Sequence, residues 1–209
     1  MKTLNLQQVE HKTKIGKDCP YYEPNVKDDC LLALDGKVIG FYINDVSRYN
    51  EKLTQLISVA NKEFRSDNVP KSLLERSDVF QKVYKQGMTR KEAMATGVVQ
   101  MSSILGSVPP KPHMRRPYPN ISSVHRDKKA QVFIKAMWGA CLEAEKIIKK
   151  LAPEVYKNQV ELFEDVKKEW RFGTMYTSSI SNFNIAAPFH RDTGNIVGTV
   201  NIILTKRNN

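Results

Sequence analysis

Near its C-terminus the chain reads NFNIAAPFHRDTGN over residues 182–195 and continues in the apolar run IVGTVNIIL over residues 196–204. His190 and Asp192 are two residues apart, so an extended chain presents both side chains on one face. An imidazole and a carboxylate presented together can fill two coordination positions of a divalent metal. Two histidines and one carboxylate typically hold non-haem Fe(II) and leave positions open for a co-substrate and O2. The spacing therefore indicates a candidate metal site at His190 and Asp192.

Residues 187–195, APFHRDTGN, resemble the iron-binding segment of a family of 2-oxoglutarate-dependent dioxygenases that oxidise the 5-methyl group of pyrimidines in DNA. This is the ten-eleven translocation and J-binding protein group, with its bacteriophage members. The resemblance continues through GTVNIILT, residues 198–205, and the upstream stretches RFGT (171–174) and 106–118 are similar to the phage branch. It implies that His190 and Asp192 are the first two Fe(II) ligands and that 2-oxoglutarate is the co-substrate. It also implies that Asn195 hydrogen-bonds a pyrimidine flipped out of the duplex.

The implied activity is hydroxylation of the 5-methyl group of thymine or 5-methylcytosine in DNA, in a protein of phage origin. The family pattern also needs a distal histidine as third ligand and an arginine that pairs with 2-oxoglutarate. The 17 residues after Asp192 contain no histidine, and Arg207 is too close in sequence to be that arginine. We therefore expect that the 209 residues lack the C-terminal part of the fold and turn over little, if at all. A further fragment or a second chain would complete the site.

The charge of the chain indicates a nucleic-acid partner. Its formal net charge is +11 and its pI is near 9.5, which favours an acidic partner such as DNA. A proline-rich loop, residues 105–124, interleaves prolines with basic and aromatic side chains suited to phosphate contact and base stacking. The predicted nucleic-acid-binding residues are Lys111, His113, Arg115, Arg116 and Tyr118. The alternative is a proline-stiffened connector whose charges are only solvated.

Cysteine content and hydropathy predict the compartment. Three cysteines without a C-x-x-C spacing favour a reducing cytoplasm, here that of a phage-infected bacterial host. No apolar run approaches the roughly 20 residues needed to span a bilayer, so no membrane partner is expected.

The pattern predicts one α+β domain over residues 1–209, in which helices back a double-stranded β-helix (jelly-roll) core that is incomplete here. Its predicted parts follow in chain order: an irregular arm (1–29), a β-hairpin on an Asp35-Gly36 type I′ turn (31–43), a mainly helical region (47–166) that contains the loop 105–124, and core strands carrying the H-x-D pair (170–205). In the last part, strands are predicted from Arg171 to Ile180 and from Ile196 to Thr205, with the H-x-D pair between them.

Within the helical region, Ser47 is predicted to cap a helix whose apolar residues recur at helical spacing: Tyr49, Leu53, Leu56, Ile57, Ala60 and Phe64. Two short helices are expected between Lys71 and Thr96. The longest helix is predicted from Lys128 to Leu151, and Pro153 is placed to begin the next one, to about Val166. The predicted apolar stripe of the long helix is Val132, Phe133, Ala136, Met137, Ala140, Ala144, Ile147, Ile148 and Leu151.

A second His-Arg-Asp occurs at residues 125–127, where we favour Asp127 as the N-cap of the long helix over a metal ligand. His-Arg-Asp also opens the protein-kinase catalytic loop, but Val197 and Val132 stand where a kinase has its asparagine. Two other functions stay open: a non-catalytic nucleic-acid-binding protein that keeps the scaffold, and a dioxygenase acting on a different substrate.

Overall fold

Two small β-sheets and three α-helices make up most of the computed structural model, which describes residues 1–7, 14–15, 23, 25–73, 87, 92, 100–110, 119–183, 190, 192 and 195–206. This mixture of sheets and packed helices confirms the predicted α+β class. No helix among the described residues is long and apolar enough to cross a membrane.

The first sheet contains strands β1 (Lys2–Asn5), β2 (Cys30–Leu34) and β3 (Lys37–Tyr42). The predicted hairpin is confirmed: β2 and β3 pair antiparallel, and Asp35 and Gly36 both have positive φ, as a type I′ turn requires. The expectation of an irregular arm over residues 1–29 was wrong for residues 2–5, because β1 pairs in parallel with β2. Four residues are too short a stretch for the sequence pattern to predict a strand, and the strand that pairs with them is distant in sequence.

Helix α1 (Glu51–Arg65) begins three residues later than predicted. Its N-cap is Asn50, whose side-chain oxygen accepts a hydrogen bond from the backbone N–H of Leu53 at 3.0 Å. Ser47 instead lies in a 3-10 turn, where its own N–H and hydroxyl donate to Asp45. Of the six predicted apolar residues, Leu53, Ala60 and Phe64 are buried, while Leu56 and Ile57 are only partly buried. Tyr49 lies before the helix, at the end of the 3-10 turn.

The second sheet contains β4 (Ser72–Leu73), β5 (Met101–Val108), β6 (Asn120–Ile121) and β7 (Ser178–Phe183), and β5 pairs antiparallel with the other three. The prediction of a loop over residues 105–124 was wrong at both ends, because residues 105–108 belong to β5 and residues 120–121 to β6. Serines occupy two of the inward positions of β5 and hide its alternation. The hydroxyls of Ser103 and Ser107 donate to the carbonyls of Pro70 and Trp170, which makes their burial tolerable.

Helices α2 (Gln131–Leu151) and α3 (Pro153–Leu162) follow, and α3 begins at Pro153 as predicted. Helix α2 starts at Gln131 with Ala130 at its N-cap, so the cap predicted at Asp127 was wrong. The Asp127 carboxylate instead accepts from the N–H of Lys129 in the preceding turn, at 2.7 Å. Val132 was expected inward but is 53% exposed. Of the helices predicted between Lys71 and Thr96, nearly all residues lie outside the described ones.

The core lies between α1, α2 and the inner face of the second sheet. Phe64 of α1 and Phe133 of α2 stack at a ring-centroid distance of 5.8 Å, and Met101 and Leu105 of β5 contribute to the same cluster. Burying one such side chain contributes about 1.5–3 kcal/mol. Helix α2 is therefore the main support of the sheet that carries β7.

Helix α2 also buries the carboxylates of Glu143 and Glu145, of which Glu143 lies beside α1. Glu143 accepts from the side-chain amide of Asn50 at 2.9 Å and pairs with Lys52 and Lys146 at 3.1 and 2.9 Å. The hydrogen bond from Asn50, followed by that from Lys146, lowers the pKa of Glu143 to about 2. The Glu143 carboxylate thereby joins the start of α1 to α2.

The region predicted as core strands, residues 170–205, contains β7 and one isolated bridge between Phe172 and Tyr176. The predicted strand Ile196 to Thr205 was wrong: within the described part of this region, residues 195–206 are not in a strand. Their composition favours β structure, but side-chain amides of α3 take up the backbone groups that a neighbouring strand would bind.

Candidate metal centre

Strand β7 leads the chain to the H-x-D pair. It pairs with β5 from Ser178, opposite Gly106, to Phe183, opposite Met101. Phe183 packs against the core, so helix α2 backs the inner face of this sheet. The other face presents Ile104 and Ile180, which are directly paired and exposed among the described residues.

His190 and Asp192 are brought together. The Nε2 atom of His190 lies 3.5 Å from Oδ1 of Asp192, and the two side chains are 51% and 60% exposed. Ligand atoms bound to one metal at about 2.1 Å and at right angles lie about 3 Å apart. A small side-chain adjustment would therefore let the imidazole and the carboxylate bind one divalent ion, and their exposure leaves room for it.

Nearby backbone and amide groups hold Asp192. The N–H of Asn195 donates to the backbone carbonyl of Asp192 at 3.3 Å, which closes a turn between them. The side-chain amide of Asn201 lies 3.5 Å from Oδ2 of Asp192, on the oxygen that does not face His190. Asn195 itself is exposed beside the pair.

A third ligand does not join the pair in the part of the chain that can be described. Among those residues, no group of three histidine, cysteine, aspartate or glutamate side chains is close enough to hold a metal. The arrangement thus brings together the two residues that the sequence predicts as iron ligands, without a third beside them in the described part of the chain.

The predicted nucleic-acid-binding residues Lys111, His113, Arg115, Arg116 and Tyr118 lie outside the described residues. The ends of their loop are defined, because Val108 at the end of β5 pairs with Asn120 of β6. The loop thus leaves the sheet beside the start of β7.

The second His-Arg-Asp has a structural role. The backbone N–H of Gly106 donates to Nδ1 of His125 at 3.1 Å, and the ring packs edge-on against Phe172. Burial lowers the pKa of His125, which favours the neutral imidazole that accepts this hydrogen bond. His125 accepts a hydrogen bond from the N–H of Gly106, and Asp127 accepts one from the N–H of Lys129. The two side chains therefore bind different parts of the backbone.

The RFGT stretch forms the turn that precedes β7. The Arg171 guanidinium donates to three carbonyls just beyond α3, those of Phe163, Glu164 and Val166. The N–H and hydroxyl of Thr174 donate to buried Glu145 at 2.8 and 2.6 Å. These residues, which carried part of the family resemblance, thus connect α2 and α3 to the strand before the candidate site.

Sequence reasoning missed Gln159, which is buried on α3 and bonds backbone groups on both sides of the H-x-D segment. Gln159 lies three residues after Tyr156 and four before Phe163, so it shares one helix face with two aromatic residues, and this spacing was the available signal.

No protein-family model, curated protein or solved structure matches this chain. The residues of the candidate centre are therefore the basis for assigning a function.

Proposed function

We propose that this protein is an Fe(II)/2-oxoglutarate-dependent dioxygenase that hydroxylates the 5-methyl group of thymine or 5-methylcytosine in DNA. The observation that carries the proposal is the approach of His190 Nε2 to Asp192 Oδ1, which are 3.5 Å apart and belong to two exposed side chains. The resemblance of residues 187–205 to the iron-binding segment of DNA 5-methylpyrimidine dioxygenases supports the same chemistry. On this proposal the sheet of β5 and β7, backed by α2, is one sheet of a double-stranded β-helix.

The roles of the residues follow from their chemistry. Bound iron, with 2-oxoglutarate and O2, supplies the oxidising power for an unactivated methyl group, which no side chain has. His190 and Asp192 hold the metal. Asn195 is exposed beside them, and its amide both donates and accepts, as recognition of a pyrimidine edge requires.

The proposal needs a third ligand. Residues 193–209 contain no histidine, and the other histidines of the chain are His11, His113 and His125. Since Nδ1 of His125 already accepts from Gly106, we expect the third ligand to come from one of the other two or from a further polypeptide. 2-Oxoglutarate likewise needs a cationic partner for its carboxylate.

On this proposal basic side chains bind the DNA backbone around the flipped base, and Arg115 and Arg116 of the loop contact phosphates. The net charge of +11 supports this role.

Metal binding is the first test. We expect anaerobic titration with Mn²⁺, a stand-in for Fe(II), to show one site by the loss of the free-ion EPR signal. Asp192→Asn should weaken binding at least tenfold, because it replaces an anionic ligand with a neutral amide. Asp127→Asn is the matched control, since it changes the other His-Arg-Asp and should leave binding intact. Equal Mn²⁺ binding by wild type and Asp192→Asn would contradict the proposed site.

Product formation is the second test. DNA containing thymine and 5-methylcytosine is incubated with protein, Fe(II), 2-oxoglutarate, O2 and ascorbate, and its nucleosides are analysed by mass spectrometry. Once a polypeptide that supplies the third ligand completes the site, we expect a 5-hydroxymethyl nucleoside that depends on 2-oxoglutarate and is absent with Asp192→Asn, whereas the 209 residues alone should give little or none. Salt-sensitive DNA binding without metal binding would instead support the non-catalytic alternative, and turnover of 2-oxoglutarate without modified DNA a different substrate.

A further inference from the structure

The buried amide of Gln159 bonds the chain both before and after the H-x-D pair. Its Nε2 donates to the carbonyl of Met175 at 3.0 Å and lies 3.4 Å from that of Val200, and its Oε1 accepts from the N–H of Val200 at 2.8 Å. Met175 precedes β7, and Val200 lies eight residues after Asp192. With 2% of Gln159 exposed, water cannot easily replace these bonds.

Gln159 takes the place of a neighbouring strand for residues 196–200. It offers Val200 one donor and one acceptor, which is what an adjacent residue in a β-ladder offers. Asn158, the next residue on α3, donates to the carbonyl of Gly198 at 3.0 Å. The segment between is tied internally, because Thr199 donates both its N–H and its hydroxyl to the carbonyl of Ile196.

A short series of contacts connects Val200 to the candidate ligands. Asn201 follows Val200, and its amide lies 3.5 Å from Oδ2 of Asp192. The turn closed by Asn195 onto the carbonyl of Asp192 joins the same stretch. Oδ1 of Asp192 in turn faces His190 at 3.5 Å. Displacement of Val200 from Gln159 therefore releases the contacts that orient Asp192.

We propose that Gln159 is a positioning residue that fixes the two ends of the H-x-D segment and so keeps His190 and Asp192 within reach of one metal ion. The positioning role rests on the proposed function for its purpose, although the contacts themselves exist without metal. The role needs a side chain that both donates and accepts, as an amide does, because the bonds are made to an N–H and to carbonyls.

The test compares Gln159→Met, which keeps the length of the side chain but removes donor and acceptor, with the control Glu143→Gln. Glu143 is also a buried polar group on a helix, but its described partners are Asn50, Lys52 and Lys146, away from the H-x-D segment. Both variants are first checked for cooperative unfolding, and every measurement is made below the melting temperature of the less stable one.

Two readouts need no metal. Hydrogen–deuterium exchange of the peptide containing Val200 should become at least tenfold faster in Gln159→Met and stay unchanged in Glu143→Gln. The NMR resonances of the His190 ring at fixed pH should shift in the first variant alone. Unchanged exchange at Val200, or an equal change in both variants, overturns the inference.

The third readout is Mn²⁺ binding, which should weaken at least fivefold in Gln159→Met but not in the control. Faster exchange at Val200 with unaltered His190 resonances and unaltered Mn²⁺ affinity also overturns the inference. If wild type binds no Mn²⁺, the proposed function fails, while exchange and NMR still decide whether Gln159 positions the two side chains. The two failures are thus distinguishable.

Discussion

His125 is a residue whose protonation the fold opposes, because its Nδ1 accepts from Gly106 and burial lowers its pKa. A histidine with a folded pKa below its unfolded value of about 6.5 binds protons more readily when unfolded. Its contribution to stability is complete above that value and is lost as pH falls below it. We predict that the free energy of unfolding decreases between pH 7.5 and 5.5, and that His125→Asn removes part of this decrease.

Urea unfolding at the two pH values checks this prediction. Asparagine can still offer an oxygen to the N–H of Gly106, so the variant isolates titration from loss of the hydrogen bond. The same pH dependence in variant and wild type would show that His125 does not contribute to it.

Glu143 also loses its contribution to stability as pH falls, but in a more acidic range. Its pKa is lowered to about 2, chiefly by the hydrogen bond from Asn50, so its contribution is present above the ordinary carboxyl pKa and is lost as pH falls from about 4.5 towards 2. We predict that Glu143→Gln is less stable than wild type at pH 7 and that the gap narrows at pH 3.5. Denaturant midpoints at both pH values measure the gap, and a constant gap would contradict the role of its charge.

The sequence indicated His190 and Asp192 because their spacing is local, and two residues apart suffice to bring both side chains to one side. Gln159 was not predicted, because its partners Met175 and Val200 are 16 and 41 residues away. A glutamine within a helix carries no local sign of which distant backbone it will bond.

At the scale of elements, the turn before β7 depends on Gly173. Its φ is +74°, and a Cβ there would lie 2.5 Å from Oε1 of Glu145 and 2.6 Å from the sulfur of Cys141. Gly36 in the hairpin has nearly the same φ but nothing within 4 Å of an added Cβ. We predict that Gly36→Ala lowers the free energy of unfolding by about 1 kcal/mol, because alanine is disfavoured in the left-handed conformation. Gly173→Ala should lower it clearly more, because the added Cβ also clashes. Chemical denaturation measures both losses, and equal losses of unfolding free energy in the two variants would disprove the steric clash at Gly173.

The packing of α2 predicts a contrast between neighbouring residues. Phe133 is buried against Phe64, whereas Val132 faces solvent. We predict that Phe133→Ala lowers the free energy of unfolding by about 3–5 kcal/mol and that Val132→Ala changes it by less than about 0.5 kcal/mol. Thermal and urea unfolding test this, and a large effect of Val132→Ala would mean that an unseen surface covers it.

Elements with strong local signals were predicted well: the Asp-Gly hairpin, the long amphipathic helix and the helix begun by proline. Strand β5 was missed because serines replace apolar residues at inward positions 103 and 107. The predicted strand after Asp192 did not form among the described residues, because its composition favours a strand but Gln159 and Asn158 bind its backbone from a helix. Pairing, which the sequence pattern does not specify, decided both cases.

At the scale of the whole molecule, the net charge of +11 predicts DNA affinity that falls with salt. We predict that Arg115→Ala with Arg116→Ala flattens the slope of log affinity against log salt by up to about two phosphate contacts. The control Lys149→Ala with Lys150→Ala removes the same charge from the exposed end of α2. Fluorescence anisotropy over a salt series measures the slopes, and equal slopes for the two variants would assign no special role to the loop.

The sequence by itself determined the α+β class, the hairpin, the long helix and the spacing of His190 and Asp192, since each depends on residues only a few positions apart. The tertiary structure alone decided that β1 joins the hairpin sheet, that β5 is central and that residues 196–200 bond to α3. The physical reason is that a buried backbone group needs some partner but accepts any suitable donor or acceptor, whether a strand or a side-chain amide. Which partner reaches it is settled by how the helices and sheets pack.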